Sequence, residues 1–220
     1  MTFELKKGAL RAAARTRGGE LVSLRNGEGL EYIWEGDPAF WSGQNPILFP
    51  IVGSLKDGKI EIGGSTYEMG RHGFARGMEF SAVEQGEDFV TLELRENEQT
   101  LAHYPFSFSL QVTHRLLEDG FSTAFSVRNT GSAPMPFCIG VHTAIRIPEG
   151  YRFEDCELLF DEAEEADSHL LSPEGIILHN GRRPMLKGDR IALDYGTFAE
   201  MDTVIFSMLR SGKGALRHRQ

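Results

Sequence analysis

The clearest pattern in the sequence is Phe108-Ser109-Leu110-Gln111-Val112-Thr113-His114-Arg115-Leu116, in which apolar and polar residues alternate and His114 falls on the apolar side. Glu118-Asp119-Gly120 turns the chain, and the alternation resumes from Phe121 to Val127. Because successive side chains of a strand point to opposite faces, this period of two predicts antiparallel strands with one face on a core. We expect His114 to lie within or at the rim of that core with a hydrogen-bond partner.

Similar strand pairs flank this stretch on both sides. Gly18-Gly19 turns an N-terminal meander, Gly63-Gly64 turns a hairpin, and Gln85-Gly86-Glu87-Asp88 turns another. Further strand candidates are residues 30–34, 47–52, 134–141, 153–160 and 201–208. The acidic residues 161–175 are expected to form a solvated loop. The pattern predicts one all-β domain over residues 1–220, a large antiparallel β-sandwich.

Composition narrows the class of protein. The 220 residues carry a formal charge of -9 and a sequence pI near 5.3, which argues against a nucleic-acid partner. No signal peptide or membrane-spanning apolar run is evident, so we expect no membrane partner and a cytoplasmic location. Cys138 and Cys156 fit no metal or disulfide spacing and are expected to be small core residues in a reducing compartment.

The chemistry-bearing stretch is Gly70-Arg71-His72-Gly73-Phe74-Ala75-Arg76-Gly77, which follows a hairpin strand. Glycines let such a loop aim its side chains into a cleft, arginine offers a rigid fork of donors, and histidine exchanges protons near neutral pH. A second histidine, His142, stands at another strand end. Together they suit reversible proton transfer on a polyhydroxyl compound, although a polar loop capping a strand is the simpler alternative.

Other kinds of site have weaker support. Neither histidine has a second metal ligand within the next four residues, so we expect no metal. A Gly-x-Ser-x-Gly nucleophile elbow is missing, and Gly53-Ser54-Leu55-Lys56-Asp57-Gly58 lacks the phosphate-loop pattern. We expect no cofactor.

Several short sequence motifs, taken in their order along the chain, give it a resemblance to the aldose 1-epimerase (galactose mutarotase-like) superfamily and especially to its LacX-type branch. They are Asn45-Pro46-Ile47-Leu48-Phe49-Pro50-Ile51-Val52-Gly53, His72-Gly73-Phe74-Ala75-Arg76, Tyr104-Pro105-Phe106-Ser107-Phe108, Asn129-Thr130 with Met135-Pro136-Phe137, and Gly140-Val141-His142. The resemblance implies the mutarotase β-sandwich, with a sugar held in a cleft on one sheet. It also implies ring opening by acid–base catalysis without a cofactor.

Residue roles follow from the same resemblance. His142 matches the general acid that protonates the ring oxygen, and His72 matches the histidine that orients the sugar. Asp202 looks like the aspartate that binds sugar hydroxyls, and Arg76 matches an arginine that hexose-6-phosphate mutarotases use near the phosphate. Trp41 and Phe74 are further candidates to face the sugar ring. The expected partner is therefore a sugar or a sugar phosphate.

The sequence departs from the family pattern in three places. Thr143-Ala144-Ile145 follows His142 where relatives usually carry a proline or aromatic residue, and Ser54 stands where many carry an arginine. The family's general-base glutamate belongs to a strand beyond residue 220, so the chain is expected to lack the last strands of the family fold. This leaves two alternatives to mutarotation, a carbohydrate-binding protein without turnover and an inactive truncated product. If the chain ends there, we expect marginal stability or pairing of an exposed edge with a second copy, giving a homodimer.

Overall fold

The computed structural model describes residues 1–199 and 203–219, and its regular structure is almost entirely β-strand in antiparallel sheets. The all-β prediction is confirmed. The chain forms two compact units, Met1–Arg146 and Ile147–Gln220, while the expectation of a single domain over residues 1–220 stays a prediction. No helix in the described part is both long and apolar enough to cross a membrane.

The first unit contains most of the strands. They are β1 (Thr2–Lys7), β2 (Leu10–Arg15), β3 (Glu20–Arg25), β4 (Ile47–Leu48), β5 (Lys59–Ile62), β6 (Ser65–Glu68), β7 (Ser81–Gln85), β8 (Phe89–Arg95), β9 (Phe108–Leu116), β10 (Phe121–Asn129) and β11 (Gly140–Val141). One helix, α1 (Glu98–Leu101), joins β8 to β9, and 3-10 turns occupy Lys56–Gly58 and Ala75–Gly77.

Two sheets of this unit enclose its core. One has the order β1-β2-β3, the other β10-β9-β8-β7, and strands β1 and β2 contact β9. The side chains between them are apolar and almost fully buried, as in Leu5, Leu21, Leu92 and Leu110. Burying each such side chain contributes about 1.5–3 kcal/mol, so the alternation in β8 and β9 supplies much of the driving force.

His114 is part of this core and is fully buried. Its Nε2 lies 2.9 Å from the carbonyl oxygen of Gly19 and its Nδ1 lies 3.0 Å from the hydroxyl of Thr123. Burial lowers the pKa of His114, which favours the neutral ring, donating from Nε2 and accepting at Nδ1. The prediction of a hydrogen-bonded core histidine is confirmed.

The segments between the sheets are less regular than expected. Residues 30–34 form only isolated bridges, Arg25 to Glu31 and Ile33 to Ile145, and the strand predicted over 47–52 is reduced to β4, which pairs with β11. The reason lies in the backbone hydrogen bonds. The carbonyl of Phe49 accepts from the N–H groups of Phe74 and Ala75 instead of from a neighbouring strand.

The second unit is a three-stranded sheet with the order β13-β12-β14. Its strands are β12 (Cys156–Leu171), β13 (Ile177–Ala192) and β14 (Gly214–His218). The loop predicted for the acidic residues 161–175 is therefore wrong over most of its length. Glu164 is buried and accepts the N–H of Ser211 at 2.7 Å, so a charged residue in this run has a partner within the unit.

Further expectations need correction. The strand predicted over residues 134–141 is limited to β11, Gly140–Val141. Residues 203–208 contain no strand, and the first two residues of the strand predicted there, 201 and 202, lie outside the described part. Cys156 is buried as expected, but Cys138 is exposed. Cys138 lies outside the strands, two residues before β11.

Candidate functional site

The loop that carries His72 is held in place by the glycine that follows. Gly73 has φ +71°, and a Cβ built there would lie 2.2 Å from the carbonyl oxygen of Phe49. That carbonyl accepts the N–H groups of Phe74 and Ala75 at 3.0 and 3.2 Å. Only glycine allows the chain to pass this close, so the sequence fixes where the loop turns.

His72 is pinned by two hydrogen bonds to Gly53. Its backbone N–H donates to the Gly53 carbonyl at 2.8 Å, and its Nδ1 accepts the Gly53 N–H at 3.0 Å. Its own φ of 68° is unusual for a residue with a side chain. Because a backbone N–H can only donate, Nδ1 carries no proton, and the neutral ring has its proton on Nε2.

The electrostatic surroundings keep this ring neutral. Partial burial, followed by the charges of Arg71, Arg76 and His142, lowers the pKa of His72 from 6.5 to about 4. At neutral pH His72 is therefore a fixed hydrogen-bond donor through Nε2–H and not a cation. Such a group can bind and orient a sugar oxygen.

His142 has a different setting, directly after β11. Its N–H donates to the carbonyl of Pro46 at 3.1 Å, and its side chain is exposed. The ring lies against Trp41, with centroids 4.8 Å apart, and its centroid is 6.3 Å from that of His72 at an interplanar angle of 69°. The two histidines singled out from the sequence thus meet in one place, close enough for one sugar ring to touch both.

Trp41 is fixed from two sides. The indole N–H of Trp34 donates to the Trp41 carbonyl at 2.8 Å, and a Cβ at Gly43 would lie 2.4 Å from the Trp41 ring. The half-buried ring therefore packs against Gly43 and meets the His142 ring at an interplanar angle of 48°. The structure brings this candidate to the histidines.

Phe74 is placed elsewhere, among the rings of Phe49, Tyr104 and Phe108 at centroid distances of 6.1–6.3 Å. It packs against the hydrophobic core, so its ring supports the loop from beneath. Phe74 also lines the surface pocket described next, so its role in facing a sugar stays a prediction.

Arg76 is exposed and donates to the carbonyl of Arg71 at 3.0 Å. Together with Arg17 and His103 it lines an open surface pocket of about 330 Å³. Arg17 stands 59 positions before Arg76 in the sequence, and only the fold brings the two arginines to one pocket.

The fourth expected site residue, Asp202, lies outside the described residues. Within residues 1–199 and 203–219, no three His, Cys, Asp or Glu side chains are arranged to hold a metal ion. The absence of a metal or cofactor stays a prediction.

A polar link beneath the site was not expected from the sequence. The hydroxyl of Thr143 donates to Oδ1 of the buried Asn45 at 2.5 Å. In the sequence, Asn45 is only part of a family motif and Thr143 only a departure from the family pattern. Their 98-residue separation hides the pairing from any local reading of the sequence.

Known proteins resemble this chain over most of its length. The family model for aldose 1-epimerase matches residues 1–175. The plasmid-encoded protein LacX of Lactococcus lactis subsp. lactis is 38% identical over all of this chain and 77% of its own length, and the chromosomal LacX is 36% identical over the same shares.

Solved structures give the same result. A galactose mutarotase related enzyme from Lactobacillus acidophilus has a TM-score of 0.92 at 28% identity, over 99% of this chain and 73% of its own. A galactose mutarotase-like protein from Lactobacillus casei has a TM-score of 0.84 at 30% identity, over 91% of this chain and 70% of its own. The chain therefore belongs to the aldose 1-epimerase family.

Proposed function

We propose that this chain binds an aldose at His72 and His142 and interconverts its α and β anomers by opening and closing the ring. The observation that carries the proposal is the meeting of two imidazoles, 6.3 Å apart between centroids, beside the ring of Trp41. Family membership supports the same reaction class.

In this proposal His72 binds and does not transfer a proton. Its pKa of about 4 keeps it neutral, and its Nδ1 is occupied by the Gly53 N–H. The remaining Nε2–H donates to an oxygen of the sugar. A donor whose direction is set before binding costs little ordering energy when the substrate arrives.

His142 is the proposed general acid. Its ring is exposed, so a sugar can reach it, and its contact in the structure is the aromatic ring of Trp41. As the C1–O5 bond breaks, His142 donates a proton to the ring oxygen while a base removes the proton of the anomeric hydroxyl. Rotation about C1–C2 followed by the reverse transfers gives the other anomer.

The substrate class includes sugar phosphates. Arg17 and Arg76 line one pocket and have no carboxylate partner among the ion pairs of the described residues, so an anionic group would meet uncompensated positive charge there. Neutral aldoses would depend on the histidines and Trp41 alone. Comparison of each sugar with its 6-phosphate separates the two cases.

Binding without turnover is the second candidate, and one observation favours it. Among the residues described, the charges that shift the pKa of His72 come from Arg71, Arg76 and His142, with no carboxylate among them. A base is needed for efficient ring opening, and Asp202 lies outside the described part. This candidate predicts saturable sugar binding with no acceleration of anomer exchange.

Exchange NMR on glucose, galactose and their 6-phosphates tests the proposal directly. We expect the protein to raise the rate of anomer exchange for at least one of these sugars, and His142→Gln to abolish most of that increase. Arg17→Gln should weaken the binding of the 6-phosphates and leave the binding of the neutral sugars unchanged. Saturable binding with an unchanged exchange rate would select the second candidate, and a rate that His142→Gln leaves intact would remove His142 as the acid.

A further inference from the structure

A buried carboxylate outside the site holds the segment on which His142 and Trp41 depend. Glu20, the first residue of β3, is 4% exposed. Its Oε2 accepts from the guanidinium of Arg15, with Nε at 3.1 Å and a terminal nitrogen at 2.5 Å. That ion pair alone would satisfy only one of the two carboxylate oxygens.

The other oxygen reaches the chain that leads into the site. Oε1 of Glu20 accepts the backbone N–H of Asn45 at 2.6 Å and that of Gln44 at 3.2 Å. Two such charge-assisted bonds to backbone are strong and directional. They fix the end of the segment made of residues 41–46, here termed the 41–46 loop, against β3.

The 41–46 loop contacts His142 and its neighbour in three ways. The Pro46 carbonyl accepts the His142 N–H, Oδ1 of Asn45 accepts the Thr143 hydroxyl, and the Trp41 ring lies 4.8 Å from the His142 ring. An unbroken series of hydrogen bonds therefore runs from the Glu20 carboxylate through Asn45 to the residue beside His142. We expect withdrawal of the carboxylate to shift the Asn45 end of the loop and these contacts with it, while the Gln44 side chain keeps its own hydrogen bonds to the carbonyls of Val22 and Trp34 at 2.9 Å.

We propose that Glu20 is a positioning residue for His142: its carboxylate sets the 41–46 loop and through it the place of the imidazole. The catalytic part of this inference rests on the proposed function, but the position of the ring does not. Glu20 touches neither histidine, so any effect it has on them passes through the loop.

The neighbouring Glu31 provides a matched control. It also accepts two backbone N–H groups, those of Leu24 and Ile33, and pairs with the arginine Arg25 at 3.0 Å. None of its hydrogen bonds goes to the 41–46 loop. Shortening either glutamate to aspartate keeps the charge and withdraws the oxygens by one methylene.

The test compares Glu20→Asp, Glu20→Gln and Glu31→Asp in the full chain, reading the imidazole resonances of His142 by NMR. Glutamine keeps the reach of the Oε1 acceptor and loses the charge, whereas aspartate keeps the charge and loses the reach. We expect Glu20→Asp to shift the His142 resonances. The Glu20→Gln variant should be less stable than the wild type, but its His142 resonances should stay close to the wild-type positions. Glu31→Asp should leave them in place.

Anomer exchange gives a second reading. In Glu20→Asp we expect kcat to fall roughly 10-fold with KM nearly unchanged, because the acid is misplaced while the binding groups remain. If the wild type shows no exchange, the proposed function fails and the resonances still decide the positioning role. His142 resonances that stay fixed in Glu20→Asp, or move equally in Glu31→Asp, would overturn the inference.

Discussion

His72 and His142 are two histidines that lie close together, but they differ in burial, hydrogen bonding and neighbouring charge. His72 is half-buried, held at both its N–H and its Nδ1 by Gly53, and flanked by two arginines. His142 is exposed and rests against Trp41 on the 41–46 loop. The difference shows that backbone contacts can fix one imidazole as an oriented donor while the other stays accessible, and the two proposed roles rest on it.

The largest effect should come from disturbing the close contact between Gly73 and Phe49 that holds the His72 loop. In Gly73→Ala the new Cβ would meet the Phe49 carbonyl at 2.2 Å in a positive-φ conformation, so we expect a loss of about 3 kcal/mol or more in unfolding free energy. Gly70→Ala is the control, because a Cβ there meets nothing within 4 Å, and it should change stability by less than about 0.5 kcal/mol. Urea unfolding measures both, and equal stability of the two variants would show that the loop is not held in this way.

Removing each imidazole sharpens the division of roles. We expect His142→Gln to lower kcat for anomer exchange roughly 100-fold, since general acid catalysis contributes at least that much, with little change in KM. His72→Gln should mainly raise KM, because glutamine removes an oriented donor that binds the sugar. Exchange NMR over a range of sugar concentrations measures both constants. If His72→Gln lowers kcat more than His142→Gln does, the roles are reversed.

Displacing Trp41 tests whether His142 needs its aromatic neighbour. A Cβ at Gly43 would lie 2.4 Å from the indole, so Gly43→Ala must displace the ring and change its contact with His142. We expect roughly a 10-fold loss of kcat from this misplacement and little change at His72. Gly140→Ala makes only an ordinary contact, 3.6 Å from Val52, and serves as the nearby control. Equal activity of the two variants would argue against a role for Trp41.

The smallest expected effect is on the pH dependence of stability. Between its unfolded pKa near 6.5 and its folded pKa of about 4, His72 binds a proton only in the unfolded chain. Stability from this group is therefore present above about pH 6.5 and is lost as the pH falls towards 4. The unfolding free energy should therefore fall less between pH 7 and pH 5 in His72→Asn than in the wild type. After allowance for solvent screening we expect this difference to be about 1 kcal/mol.

Urea unfolding at the two pH values measures this difference. His114, whose pKa burial also lowers, adds acid sensitivity to the wild type and the variant alike and cancels in the comparison. If the unfolding free energy falls by the same amount between the two pH values in His72→Asn and in the wild type, the pKa of His72 is not lowered in the folded protein.

The parts of the fold that sequence could predict are those with strictly local causes. The alternation in β9 and β10 and the Gly-Gly turns follow from side-chain direction and glycine conformation, so they were predicted with nearly correct bounds. The strand over acidic residues 161–171 was missed because its buried Glu164 depends on Ser211, 47 residues away. The strand expected over 47–52 failed because Phe49 bonds to the His72 loop instead.

The candidate site shows the same limit. The sequence could predict His72, Arg76 and His142 as site residues because each belongs to a recognisable short motif. The fold brings the two histidines together. Arg17 and Glu20 have no such signal, and Asn45, although it begins a family motif, owes its contacts with Glu20 and Thr143 to the fold alone. The tautomer of His72 also required the structure, because it follows from one backbone N–H.

The most direct test of the difference between the two histidines is the protonation of His72. Long-range ¹H–¹⁵N NMR spectra of the ¹⁵N-labelled protein, recorded from pH 8 to 4 and assigned with His72→Asn, report both its tautomer and its pKa. We predict a neutral ring at pH 7 with the proton on Nε2 and a midpoint of about 4. A midpoint near 6.5, or a proton on Nδ1, would contradict the assignment of His72 as a fixed neutral donor.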